Sequence, residues 1–167
     1  MTLSDAATPW VRGETLQTFL SGLPAILGAK DLREVVQAIA NAHVGGKVVV
    51  MGMGAHPIKV GLNPIVIDLM RRGIINGLAM NGAGIIHDFE LALVGHTSED
   101  VDSEILTGTF GMAEETGRML NEAIREGNAR GLGIGASVGQ FMATHDFPHR
   151  SVSLLIAAVE AHIPVTI

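Results

Sequence analysis

The stretch NGAGIIHDFELALVG sets Asn81, Gly82, Ala83 and Gly84 before a His-Asp pair, His87-Asp88. Small residues at a strand-to-helix turn leave backbone N–H groups accessible, and a helix amino end adds positive potential for an anionic group. Asn81 offers both an amide donor and an acceptor. The imidazole of His87, neutral near pH 7, suits proton transfer or a polar substrate contact. Asp88 is favoured near a helix start by the macrodipole alone, so a structural role competes with a catalytic one. The same glycines can equally be clearance for packing a helix on a strand.

A second glycine pair, Gly52 and Gly54 in VVVMGMGAHP, closes an apolar run in the way that lets backbone approach a phosphate. The third glycine of a dinucleotide fingerprint would fall on Pro57, and the next strand ends in Met80-Asn81 rather than in an acidic residue. The ordinary fingerprint is therefore incomplete. Lys59, between Ile58 and Val60, is placed to neutralise a phosphate or carboxylate or simply to be solvated. In HDFPH, Pro148 separates His145 and Asp146 from His149 and no further ligand is evident, so no metal site is expected. Neither a Gly-x-Ser-x-Gly elbow nor a Walker loop occurs.

The elements that must hold these residues follow from periodicity. Residues 14–27 and 31–43 carry helical apolar spacing, with Asp31 as cap and Gly45-Gly46 as stop. KVVVMGMG (47–54) reads as a strand, and Asn63-Pro64 as N-cap and first residue of a helix closed by Arg71, Arg72 and Gly73. IINGLAM (74–80) reads as the next strand, giving a βαβ unit with parallel strands. A helix from Gly84 to Val94 should turn Ile86, Phe89 and Leu93 inward. The hydroxyl and acidic residues of TSEDVDSEI (97–105) suit a helix start, and a longer helix is expected around GMAEETGRMLNEAIREG, stopped at Gly127-Asn128. GLGIGASVGQFM (131–142) fits either a glycine-loosened helix or a loop plus helix. SVSLLIAAVEAH (151–162) is helical by pattern with Ser151 as cap, and IPVTI (163–167) is a strand by residue type. The expected fold class is α/β, a Rossmann-like doubly wound parallel sheet, with residues 1–45 as a helical lead-in and 46–167 as the domain. A strand at the end with no covering helix leads us to expect a domain incomplete at its C-terminus.

The chain has 167 residues, 47% hydrophobic, which is enough for one sizeable core. Eleven basic against 17 acidic residues give a net charge of −6, with no basic run. Nucleic acid and anionic membrane are thus poor partners. Without cysteine there is no disulfide or thiolate chemistry, and MTLSDAATPWVRGET lacks an apolar segment behind positive charges; a cytoplasmic protein is expected.

The stretch AHPIKVGLNPIVIDLMRRGIINGLAMNGAGIIHDFE, Ala55 to Glu90, resembles the NAD-binding core of deoxyhypusine synthases and their bacterial deoxyhypusine-synthase-like relatives. Gly61 falls on the glycine of that family's Ser-Asn-Leu-Ile-Ser-Ser-Gly motif, Ala83-Gly84 on its paired glycines and Asp88 on its closing aspartate. HDFELALVGHTSEDV resembles the uncharacterised bacterial branch. The resemblance implies NAD as cofactor, held by Gly52, Gly54, Lys59, Asn81, Gly82, Ala83 and Gly84. His87 and Asp88 become the catalytic candidates in a transferase-like, NAD-dependent reaction that starts with hydride abstraction from an amine or amino acid. It also implies a homotetramer. Ala55-His56 and Lys59-Val60 stand where the family has Ser-Asn and Ser-Ser, while Ile86 and His87 replace its two glutamates. The family's imine-forming lysine lies downstream and has no counterpart here. Related ornithine-processing domains, which also carry a His-Asp pair, make an amino-acid substrate the second enzymatic reading. A non-catalytic nucleotide-binding or interaction module is the alternative of another class.

Overall fold

The computed structural model describes residues 1–97 and 114–167. The chain divides into two compact units, Met1–Lys47 and Val48–Ile167. The expectations for residues 98–113, most of TSEDVDSEI and the start of the following helix, lie outside the described residues.

The first unit is a helical hairpin, α1 (Leu16–Gly22) and α2 (Leu27–Val44). Thr15 caps α1 by accepting from the Thr18 N–H at 3.2 Å. α2 begins four residues before the cap expected at Asp31, after Ile26, with Leu27 in the left-handed region at φ 51°. The Arg33 guanidinium fixes the connector, donating to the Leu23 carbonyl at 2.6 Å and the Pro24 carbonyl at 3.0 Å. None of the residues in this unit is buried.

In the second unit the elements run β1 (Val50–Met53), α3 (His56–Lys59), α4 (Asn63–Arg71), β2 (Gly77–Met80), α5 (Gly82–Val94), α6 (Glu114–Ala129), α7 (Ile134–Thr144), α8 (Leu154–Glu160) and β3 (Val165–Thr166). Among the described residues the sheet is small, parallel and ordered β1-β2-β3, with Val50 opposite Gly77 and Leu78 opposite Val165. The unit is dominated by helices, and the expected Rossmann-like doubly wound sheet is not formed. The reason is topological. A doubly wound sheet needs a reversal of strand order so that successive crossovers fall on opposite faces. Here the strands follow chain order, and α4 and α8, one from each crossover, pack against each other. Both crossovers therefore cover the same face. Met51, Met53, Leu78, Met80 and Val165 pack into or against the core beneath them, while in the alternate row Val50, Gly52 and Thr166 are exposed, Ala79 is half-buried and Gly77 is buried. Strands of a parallel sheet are ordinarily covered on both faces.

The core joins Val66, Ile67 and Met70 of α4, Phe89 and Ala92 of α5, and nearly all of α8. Phe89 and Phe147 meet edge to face, with centroids 5.0 Å apart. Of the two readings of 131–142, the structure takes the loop plus helix: residues 131–133 form the turn, with Gly131 at φ 73°, and α7 starts at Ile134 with glycines at packing positions. A Cβ on Gly139 would come within 2.9 Å of Val159, and one on Gly135 would collide with the Val165 carbonyl. Gly127 of α6 meets Ser137 of α7 in the same way, so the two helices cross at close quarters. Among the described residues, no helix is long and apolar enough to cross a membrane.

Candidate functional site

β1 and β2 end side by side, Met53 opposite Met80, so Gly54 and Asn81 follow neighbouring strand tips. Asn81 is the N-cap of α5: its side-chain oxygen accepts from the Gly84 N–H at 3.0 Å. That leaves its Nδ2 group, which lies 3.7 Å from where a Gly54 Cβ would stand. The helix starts at Gly82, two residues earlier than expected, because Asn81 supplies the cap. The N–H groups of Gly82 and Ala83 consequently sit in the first turn, where no intrahelical partner exists. Both residues are exposed, and nothing lies within 4 Å of a Cβ built on Gly82. Gly54, Asn81, Gly82 and Ala83 thus form an open rim of small residues and polar backbone.

Gly84 differs from these four. It is buried, and a Cβ there would sit 3.2 Å from the Met80 Cβ, so its small size serves helix–strand packing. Gly52 lies within β1 on the exposed row, with open space at its α-carbon. Lys59 ends the short helix α3 and is exposed. His56, which opens α3 just beyond the β1 tip, is exposed as well and was not singled out from sequence; its place two residues after Gly54 was the available signal.

His87 is in the second turn of α5, about 7.5 Å along the axis from Gly82. Its Nδ1 lies 3.0 Å from Glu90 Oε2, with both side chains largely covered. A carboxylate on one ring nitrogen orients an imidazole and fixes which nitrogen carries the proton. Glu90 was not anticipated, although its spacing three residues after His87 puts the two on one helix face.

Asp88 points the other way, into the core, with no exposed surface. Its Oδ1 accepts from the Leu154 N–H at 2.7 Å and from Asn63 Nδ2 at 3.1 Å. Its Oδ2 accepts from Ser153 Oγ at 2.7 Å and the Leu155 N–H at 3.0 Å. Ser153, in turn, accepts from the Ile156 N–H at 3.1 Å. The first three N–H groups of α8 are thereby satisfied by two side chains, one of them from a different helix. Burial pushes the Asp88 carboxyl above its ordinary range, opposed by the hydrogen bonds from Leu155, Leu154, Ser153 and Asn63. Asn63, expected as an N-cap, is instead the first residue of α4, and its amide donates to Asp88 and to the Val152 carbonyl at 2.8 Å. Ser153, not Ser151, caps α8.

A concavity of about 720 Å³ lies elsewhere in the unit. It is an open groove beside β3 bordered by Arg130, Gln140, Phe141, Val159 and His162, and none of the strand-tip residues lines it. Its size reflects the uncovered flank of an edge strand. The strand tips are the better candidate because polar backbone, an amide and a helix amino end converge there. No family model matches the chain, and no curated protein matches it.

Proposed function

We propose that the protein binds NAD at the tips of β1 and β2 and acts on an amine or amino acid by hydride abstraction, as a cytoplasmic homo-oligomer. The observation that carries this reading is the juxtaposition of Gly54 with Asn81-Gly82-Ala83 at neighbouring parallel strand ends. Such an arrangement gives a diphosphate two backbone donors, one amide and the positive end of a thirteen-residue helix. Two adjacent parallel strands supply it without a doubly wound sheet. Gly84 supports the rim from beneath through its packing on Met80, and Gly52 leaves the exposed face of β1 clear for a ring. His87, oriented by Glu90, is the group suited to take a proton from the substrate nitrogen. Asp88 acts as a positioning residue: it ties α5 to α8 and so fixes the helix that carries His87. Lys59 is the cation available to an anionic group.

A non-catalytic nucleotide-binding module is the second reading, favoured by the burial of Asp88, which withdraws one of the two catalytic candidates from any ligand. Calorimetric titration with NAD separates binding from its absence. A variant Ala83→Asp serves as control, since an acidic residue in the first turn favours the helix yet repels a phosphate. Binding by the wild type and at least tenfold weaker binding by Ala83→Asp are expected. No heat from the wild type at millimolar NAD refutes the cofactor assignment. NAD binding without NADH formation, across a panel of diamines and basic amino acids, selects the module.

A further inference from the structure

We propose that Asn81-Gly82 is a site of spontaneous covalent modification, at which the Asn81 side-chain amide is converted to a carboxylate through a cyclic imide. The assignment concerns the reactivity of the rim itself and stands whether or not a nucleotide binds there.

The chain holds two Asn-Gly dipeptides, Asn76-Gly77 and Asn81-Gly82, and the fold treats them differently. A glycine after asparagine presents a backbone nitrogen with no neighbouring side chain, so that nitrogen can reach the asparagine Cγ and close a ring. The reaction is intramolecular, and its rate is set by how readily the two atoms can be brought together. Asn76 is half-buried and fully engaged. Its Oδ1 accepts from the Val49 N–H at 3.0 Å, its Nδ2 donates to the Gly73 carbonyl at 3.1 Å, and its own N–H donates to the Val49 carbonyl at 2.9 Å. Gly77 is buried in β2 opposite Val50. Its nitrogen cannot swing towards Cγ without opening the strand.

Asn81 and Gly82 are both exposed. A single bond, from the Gly84 N–H, holds the Asn81 side chain, and Nδ2 has no hydrogen-bond partner among the described residues. The Gly82 N–H also lacks an acceptor there, as the first turn of a helix dictates. The extended ψ of Asn81, 175°, keeps the Gly82 nitrogen away from Cγ. Rotation about that bond breaks the cap, and helix ends open in this way at low cost. The thirteen residues of α5 place positive potential where charge develops on the attacking nitrogen.

The Gly82 nitrogen gives its proton to solvent and bonds to Cγ, the Cγ–Nδ2 bond breaks, and Nδ2 leaves as ammonia. Water then opens the ring at either carbonyl, giving aspartate or, with the main chain rerouted through Cγ, isoaspartate. One amide and one water become one carboxylate and one ammonium ion, and nothing is oxidised or reduced. Aspartate caps a helix as well as asparagine does, whereas the rerouted chain loses the cap. Either product removes the amide donor beside Gly54 and brings a negative charge to the rim.

Peptide mapping by mass spectrometry tests this on the full chain, held for weeks in mildly alkaline buffer, either folded or unfolded in urea. In the folded protein Asn81 should convert at least about tenfold faster than Asn76, the ratio that the further hydrogen bonds and strand pairing at Asn76 impose on local opening. In urea the two rates should converge, because the difference lies in the fold. Asn81→Ser, which keeps a cap, should abolish the change at this position. Gly82→Ala, for which the structure leaves open space, should slow it several-fold. An Asn81 that stays intact in the folded protein, or one that converts no faster than Asn76, overturns the assignment.

Discussion

Replacing Asp88 distinguishes a residue that builds the fold from one that performs chemistry. In Asp88→Ala the buried Leu154 and Leu155 N–H groups lose the carboxylate that accepts from them, and α8, which begins there, offers no intrahelical replacement. Ser153 keeps its bond from Ile156, and Asn63 keeps Val152, so those two groups are partly compensated. Two orphaned main-chain donors at about 1–3 kcal/mol each give a loss of roughly 2–6 kcal/mol, to which the vacated volume adds. Against a total stability of about 5–15 kcal/mol this is severe. At about 4 °C per kcal/mol for a domain of this size, the transition should fall by roughly 8–24 °C. Asp88→Asn keeps the volume and one acceptor but turns an amide towards two donors, so an intermediate loss is expected. Thermal unfolding by circular dichroism measures both, and amide exchange at Leu154 and Leu155 locates the damage. Melting of Asp88→Ala within a degree or two of the wild type would show that the clasp contributes nothing, and the catalytic assignment would regain its place.

Other outcomes follow from single contacts. Burial raises the Asp88 pKa above its unfolded value, so the stability linked to this group is full below the ordinary carboxylate pKa of about 4 and declines as pH rises through the raised value; Asp88→Asn should flatten that decline in urea titrations from pH 4 upward. A wild-type stability that climbs over the same window in proportion to this residue contradicts the direction. Gly127→Ala should destabilise by roughly 1–3 kcal/mol, since the new Cβ meets not only the Ser137 side chain but its Cα at 2.9 Å; Gly139→Ala, which meets the end of Val159, should lose less in the same denaturant assay. Asn76→Ala removes the acceptor for the Val49 N–H at 3.0 Å and a bond to the Gly73 carbonyl, and loosening of the β1 entrance should appear as faster amide exchange at Val49.

What the sequence made legible was local. β1, β2, α4 and β3 lie where apolar runs and glycine stops put them, because those signals act within a few residues. The sheet's winding was not legible, because it depends on which strands become neighbours across more than eighty residues between Met80 and Val165. The partners of Asp88 and Asn63 were hidden for the same reason: local rules leave Asp88 between a structural and a catalytic role and make Asn63 an N-cap, which it is not. Each stands at a position that local rules associate with a helix end, yet the partners that occupy their side chains are at 152–155. α5 also presents Ile85, Phe89 and Ala92 to the core and leaves Ile86 exposed: starting the helix at Gly82 does not change the spacing, but burying Asp88 rotates the inward stripe towards it. The strand-tip rim was legible because its chemistry resides in consecutive residues, whereas Glu90 required attention to the turn after His87.

The clasp around Asp88 has a bearing on how this unit comes together. A seven-residue helix such as α8 is too short to persist unaided in water, and its amino end finds its acceptor on a helix some sixty-five residues earlier. The amino end of α8 is therefore completed only when α5 meets it, and amides 154–156 should exchange among the slowest of the unit.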